Sequence, residues 1–287
     1  MKWNVGDIVA RPSYRCDVLF RITNIKDGIV ELCGEDIRLI ADAPIDDIVL
    51  VDEAERKDRR EKEKQREESC YYLFRQDYRL LKQRGEYEAT SGYSTEQSYF
   101  EMRGRVLHID GDQLYLNKCI TLYEKLGVPV YGVHVEEKEM PNQIESLLEM
   151  VRPDILVITG HDAYSKAKGT RKEIKAYRNS KYFAETVRLA RKKVPQLDQL
   201  IIFAGACQSH FETLIKAGSN FASSPQRVNI HALDPVYIVA RVSLTSFMEQ
   251  VSVWDIIRNT ITGEKGLGGI ETRGVLRKGM PYHTETE

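Results

Sequence analysis

Residues 106–204 alternate between two hydrophobic periodicities. Four short runs, 106–110, 129–135, 155–159 and 200–204, are apolar at nearly every position. Between them, 115–126, 143–151 and 182–193 repeat their apolar residues every three or four positions. A run without alternation belongs to a strand buried on both faces, and amphipathic helices between such strands supply the cover. The pattern predicts an α/β fold with a doubly wound, mostly parallel sheet. The same reading adds a strand at 236–242 and a helix at 247–260. Beyond residue 262 the glycines Gly263, Gly266, Gly268, Gly269, Gly274 and Gly279 predict a loop or arm outside the core.

The beginning of the chain has a different texture. Short alternating runs at 7–11, 19–25, 29–33 and 37–41 are separated by Lys26-Asp27-Gly28 and Gly34-Glu35-Asp36, so residues 1–51 read as a small SH3-like β-barrel. Trp3, Tyr14 and Phe20 either fill its core or present rings to a peptide or RNA. Of the 17 positions from 52 to 68, 15 are charged, eight acidic and seven basic. Glu53 precedes Lys57, Glu55 precedes Arg59 and Asp58 precedes Lys62 by four residues, the favourable order on a helix face. Apolar positions return at Tyr71, Leu73, Phe74, Tyr78 and Leu81, which predicts that the second half of this helix docks, and Gly85 is expected to end it. The stretch from Glu86 to Arg105, with Thr90-Ser91-Gly92, reads as a connector. Four segments follow: 1–51, a charged helix and connector over 52–105, an α/β domain over 106–262, and a Gly-rich tail over 263–287.

Composition narrows the function classes. The 287 residues are 42% hydrophobic and 30% charged, with 42 Lys and Arg against 43 Asp and Glu. A formal net charge of −1 gives no overall attraction to nucleic acid or anionic lipid, and the acidic residues of 52–68 cancel the basic ones within about one Debye length. No nucleic-acid or membrane partner is expected, and the oligomeric state is left open. The five cysteines, Cys16, Cys33, Cys70, Cys119 and Cys207, show no Cys-x-x-Cys spacing, so no metal or other cofactor is expected. The start of the chain lacks a signal-peptide pattern and no run approaches about 18 apolar residues, which predicts a cytoplasmic protein.

Ligands of open parallel sheets sit at the carboxyl ends of the strands. Three such ends carry chemistry here: Asp110-Gly-Asp112, Gly160-His161-Asp162 and Gly205-Ala-Cys207-Gln-Ser. Cys207 is read as opening a helix over 208–217, where the dipole favours thiolate. His161, 46 positions earlier, ends its own strand. On neighbouring strands the imidazole activates the thiol and protonates a leaving amine, while the backbone N–H groups of Cys207 and Gly160 bind an oxyanion. The ordinary roles of such residues are a small buried hydrophobe and a polar loop group; it is their shared position that points to a dyad. His210, one turn beyond Cys207, and His231 are rival bases.

A strand ending in His and, about fifty residues later, a strand ending in Ala-Cys resemble the caspase-like cysteine peptidases. Here Gly160 precedes the His and Asp162 follows it. At longer range the chain resembles the YabG family of sporulation-specific peptidases. The strings that carry the resemblance are Val-Gly-Asp-Ile-Val-Ala-Arg (5–11), Arg-Pro-Asp-Ile-Leu-Val-Ile-Thr-Gly-His-Asp-Ala-Tyr-Ser-Lys (152–166), Phe-Ala-Gly-Ala-Cys-Gln-Ser-His-Phe-Glu (203–212) and Gly-Leu-Gly-Gly-Ile-Glu-Thr-Arg-Gly-Val-Leu-Arg (266–277). The resemblance implies a caspase-like fold and a protease that processes spore-coat and related spore proteins in the mother cell, cutting beside Arg or Lys. It implies Cys207 as nucleophile and His161 as base.

Recognition of a basic side chain needs a desolvated carboxylate, for which Asp162, Asp110, Asp112 and Asp234 are candidates. Asp162 has two other possible roles, orienting the imidazole or capping a helix. The same specificity makes Arg56 to Arg66, Arg103 and Arg105 candidate self-cleavage positions. Two rival readings stand beside the protease. Asp110 and Asp112 match the opening of magnesium-dependent aspartyl phosphatases, and the barrel alone would suit a noncatalytic RNA- or peptide-binding scaffold.

Overall fold

The computed structural model describes residues 3–90 and 100–279. Residues 8–50 contain a five-stranded antiparallel sheet from β1 (Ile8–Ala10), β2 (Phe20–Lys26), β3 (Ile29–Gly34), β4 (Ile40–Pro44) and β5 (Val49–Leu50), in the order β4-β3-β2-β1-β5. Its inward positions, Val9, Phe20, Ile22, Val30 and Leu32, are all buried, so Phe20 belongs to the core while Tyr14 lies exposed. β3 and β4 make a hairpin whose tip, residues 35–39, projects into the rest of the molecule and is buried at Arg38 and Leu39.

Helix α1 (Glu53–Thr90) follows. Two of the anticipated i,i+4 pairs form, Glu55 with Arg59 and Asp58 with Lys62, both at 2.6 Å. Its second half docks through Cys70 and Phe74, and the Phe74 ring lies 5.6 Å from that of Tyr237. Leu73, expected on the docking face, points to solvent. The helix runs past Gly85, since a single glycine costs only about 1 kcal/mol within a long helix. Ser91-Gly92, read as connector, lies outside the described residues.

A six-stranded sheet forms the centre of the molecule, with strand order β13-β11-β10-β9-β7-β8. Before it the chain makes β6 (Phe100–Met102). The sheet then takes β7 (Val106–Asp110), β8 (Val130–His134), β9 (Ile155–Thr159), β10 (Ile201–Ala204) and β11 (Phe221–Ser223), all parallel. Between them run α2 (Gln113–Leu126), α3 (Met140–Val151), α4 (Ser180–Lys193) and α5 (Phe211–Ala217), followed by α6 (Asp234–Ser243). Alternate strand residues face opposite layers. Val106, Val157, Ile201 and Phe203 pack with α2 and α6, while Leu107, Leu156, Ile158 and Ile202 pack with α3, α4 and α5.

Three expectations are corrected here. Residues 236–242 are not a strand but lie in α6, whose ten residues are all buried. The expected helix at 247–260 is a short strand, β12 (Gln250–Val251), and a short helix, α7 (Val253–Ile257). The Gly-rich tail is partly core: β13 (Leu267–Gly269) pairs antiparallel with β11 and buries Leu267. A Cβ at Gly269 would lie 2.4 Å from the Phe221 ring, so glycine is what lets this strand reach the sheet edge. β14 (Thr272–Arg273) pairs with β12, and β15 (Arg277–Gly279) pairs with β6.

Asp77 fastens α1 to this core, accepting from Arg241, Arg258 and Asn259 at 2.9–3.1 Å. Arg241 is mostly buried, so Asp77→Ala leaves a desolvated guanidinium without its carboxylate. The expected loss is about 1–3 kcal/mol in urea unfolding, whereas a loss within error would show that this charged cluster contributes nothing to the docking of α1.

Candidate active site

β7, β9 and β10 are neighbours, so their three chemistry-bearing ends meet on one edge of the sheet. Cys207 leaves β10 through Gly205 (φ 111°) and Ala206. The helix after it begins at Phe211, three residues later than expected, so Cys207 lies in a turn and not at a helix terminus. Its sulfur is fully buried and accepts from the Ile230 N–H at 3.2 Å. Burial pushes the thiol well above its ordinary value, against a smaller opposing effect of that amide. Burial thus works against the expected thiolate.

His161 follows Gly160, where a Cβ would collide with Glu137 at 2.5 Å. Glu137 Oε1 accepts the His161 N–H at 2.8 Å and lies 3.7 Å from Nδ1. Nε2 sits 2.9 Å from Cys33 Sγ, at the end of β3, and 3.4 Å from Asp112 Oδ2. Burial disfavours the charged ring, but the contacts with Cys33 and Glu137, with Asp112 nearby, outweigh it and raise the imidazole to about 10. The imidazole therefore rests on Cys33, not on Cys207. Cys33, Asp112 and His161 also bring donor atoms within 4.8 Å of one another, a set of the kind zinc accepts.

The hairpin tip crosses the sheet edge beside these groups. Ile37 pairs with His231 in an antiparallel bridge and Leu39 with Asp162 in a parallel one. The Arg38 N–H donates to Ile230 O at 3.4 Å, and the Ala232 N–H donates to Asp36 O at 3.1 Å. The Cys207 N–H donates to the Arg38 carbonyl at 3.2 Å. The Arg38 side chain is wholly buried. Its guanidinium donates to Asp110 Oδ2 at 2.7 Å and to Ala232 O at 3.0 and 3.2 Å, and lies 5.2 Å from the centre of the Tyr115 ring. Tyr115 Oη donates to the carbonyls of Gly34 and Ile37, fixing the tip. Beyond Leu39 opens a cleft of about 620 Å³ bordered by Ala163, Tyr164, Gln208, Arg178 and Arg227.

The four candidate carboxylates have separate employments. Asp110 is the one that holds a basic side chain. Burial opposes its charge, but Arg38 and His108 keep it well below the usual carboxylate range. Asp112 caps α2 through the N–H groups of Leu114 and Tyr115. Asp162 accepts from the N–H groups of Ala163 and Asn179 and from the hydroxyls of Ser180 and Ser209, tying the loops after β9 and β10 to the start of α4. Burial raises its carboxyl to about 6, with those donors opposing. Asp234 accepts from His231, Ile261 and Thr262. The rival bases are engaged too. His210 caps α5 through Nδ1 and donates through Nε2 to Lys172 O, and His231 Nε2 faces Glu63 and Glu67. Sequence reasoning missed Cys33, Arg38, Tyr115 and Glu137. The signal available for Arg38 was a lone charge within the apolar run at 37–41.

A family model described as YabG peptidase U57 matches residues 4–281. A curated relative, "Sporulation-specific protease YabG" of Bacillus subtilis (strain 168), is 60% identical over 287 residues, covering 98% of this chain and 99% of the relative. No solved structure matches.

The raised His161 value has a pH consequence. An unfolded histidine titrates near 6.5, so this group adds stability fully below pH 6.5 and loses it as pH rises toward 10. Cys33→Ala removes the strongest raising contact. The His161 ring, followed by NMR, is expected to titrate at lower pH and the stability gain over that window to shrink; an unmoved midpoint would remove Cys33 as its partner.

Proposed function

Because the chain belongs to the YabG family of peptidases, we propose that it is a cysteine endopeptidase with Cys207 as nucleophile and His161 as the proton-transfer group, cutting after Arg or Lys. The observation that carries this reading is the seating of Arg38, whose side chain rests on Asp110 while its carbonyl accepts from the Cys207 amide. A peptide bound in the same way would have its acyl carbon beside the sulfur, its developing oxyanion on the Cys207 N–H, and its basic side chain against a desolvated carboxylate. Strand-like pairing with residues 230–232 would supply affinity without regard to sequence. Asp110 is thus preferred over Asp112, Asp162 and Asp234 as the specificity carboxylate, and Asp162 is assigned to holding the two catalytic loops in register.

In this mechanism the His161 ring leaves Cys33, Glu137 and Asp112, gives up its extra proton to solvent and becomes the neutral base; the Cys207 proton then passes to it and the thiolate attacks the carbonyl carbon. The imidazolium then protonates the leaving amine, and water hydrolyses the thioester with His161 as base. His161 must exchange its contact with Cys33 for the substrate. Gly160 serves as the small residue behind the ring, and its N–H is retained as the second oxyanion donor. The parallel order of β7, β9 and β10 and the neighbouring strand ends support a caspase-like peptidase unit, and the five-stranded sheet supports an SH3-like barrel. Substrates would be spore-coat and related spore proteins, met in the mother-cell cytoplasm, in keeping with the relative's description as sporulation-specific. The phosphatase reading has less support, since Asp110 is neutralised by Arg38 and Asp112 is a helix cap.

Cys207→Ala and His161→Ala are each expected to abolish hydrolysis of an arginyl reporter peptide, as is prior alkylation. Asp110→Asn should lower kcat/KM for that peptide by about thirtyfold or more, from about 2 kcal/mol for a truncated buried charge pair. Full activity in Cys207→Ala would exclude the thiol mechanism. A fall in Asp110→Asn that is equal for an uncharged side chain would exclude the specificity role.

A further inference from the structure

Resting on that reading, we infer that residues 36–39 are a built-in substrate and that the enzyme cuts its own Arg38–Leu39 bond to open the cleft. Arg38 meets two requirements for a residue before a scissile bond, a seated side chain and a carbonyl on an oxyanion donor. Its guanidinium fills the pocket floored by Asp110, its carbonyl faces the Cys207 N–H, and the chain on either side is bridged to His231 and to Asp162, turning tightly at Arg38, where the Leu39 N–H donates to the Ile37 carbonyl at 2.8 Å. Leu39, on the leaving-group side, pairs with Asp162, the residue next to His161. The arginines of the charged run, Arg56 to Arg66, lie within α1, where no extended backbone is offered to a cleft.

Occupation by the tip also closes the site to other chains. Arg38 fills the basic pocket, Tyr115 anchors the tip through two carbonyls, and Cys33 of the same hairpin holds His161. A protein substrate therefore cannot bind until this hairpin yields. The step balances with water as the only added reactant. As the ring leaves Cys33 it releases its extra proton to solvent; the Cys207 sulfur then forms a bond to the Arg38 carbonyl carbon, and its proton passes to the neutral His161 ring. The Arg38 C–Leu39 N bond breaks and His161 protonates the Leu39 amine. Water then attacks the thioester, giving a carboxyl-terminal Arg38 and restoring the thiol.

The test uses full-length protein made by cell-free translation, diluted to several concentrations and sampled over time by intact mass and amino-terminal sequencing, with an arginyl reporter peptide present in parallel. The expected result is conversion to residues 1–38 and 39–287 at a rate independent of concentration, with reporter hydrolysis rising in step and Cys207→Ala remaining whole. Arg38→Gln is expected to slow this cut by about thirtyfold or more. Because that variant leaves Asp110 unpaired and its fold at risk, Arg38→Lys, which keeps the cation, is run beside it and is expected to be cut after position 38. Reporter hydrolysis with the Arg38–Leu39 bond intact, or self-cutting only elsewhere, would overturn the inference and leave the peptidase reading standing. A rate that rises with concentration would overturn cutting within one molecule. Wild-type protein inert toward both bonds would remove the peptidase reading itself.

Discussion

The pairing of Arg38 with Asp110 is the constraint around which the molecule is arranged. Both side chains are fully buried, and neither charge would be tolerated there without the other. The guanidinium comes from the amino-terminal hairpin and the carboxylate from the end of a central strand, so the pair fixes two separately built sheets in one relative position. His108 and Thr159 complete the carboxylate's shell, and the Ala232 carbonyl takes guanidinium hydrogens that Asp110 does not. Breaking such a pair by removing one partner costs about 3–5 kcal/mol, so the hairpin is held in the cleft by electrostatics as well as by strand pairing.

This placement accounts for the resting electrostatics of the proposed dyad. Burial biases the Cys207 sulfur, covered by the hairpin tip and residues 230–233, toward the thiol, outweighing the opposing pull of the Ile230 amide and the Arg38 guanidinium. The imidazole is surrounded by Cys33, Glu137 and Asp112, which favour its protonated form. For the proposed dyad to act, the ring must leave these partners and give up its extra proton before it can take the one on Cys207. Asp162 stabilises the arrangement beneath, since its two oxygens join Ser180, Ser209 and the Asn179 amide. The loops that bear His161 and Cys207 are thus rigidly joined even though the two reactive side chains are not.

Much of the central sheet was legible because burial on both faces leaves a plain signature. Ile155-Leu-Val-Ile-Thr159 has no other reasonable home. The same rule failed at 236–242: α6 is buried on every side, so Val236-Tyr-Ile-Val-Ala lost the polar stripe that marks a helix, and its β-branched residues imitated a strand. Pro235 at the first turn was the overlooked signal. Leu267-Gly-Gly269 was read as loose because glycine lowers strand propensity, yet here the missing Cβ is what permits close approach to Phe221. The placement of Cys207 and His161 just beyond strand ends on one edge of the sheet was legible. Cys33 and Arg38 were not, because a contact between residues 38 and 110 is made by packing and leaves no trace in local periodicity.

The hairpin has one more implication, for how a nicked molecule would behave. β3 and β4 remain hydrogen-bonded from Ile29 with Pro44 to Cys33 with Ile40, on either side of the tip. Severing the tip would therefore leave two polypeptides knitted into a single particle, of unchanged hydrodynamic size until denaturant separates them. What changes is local: two new termini, one anionic and one cationic, each free to swing away from the sheet edge like the halves of an opened clasp.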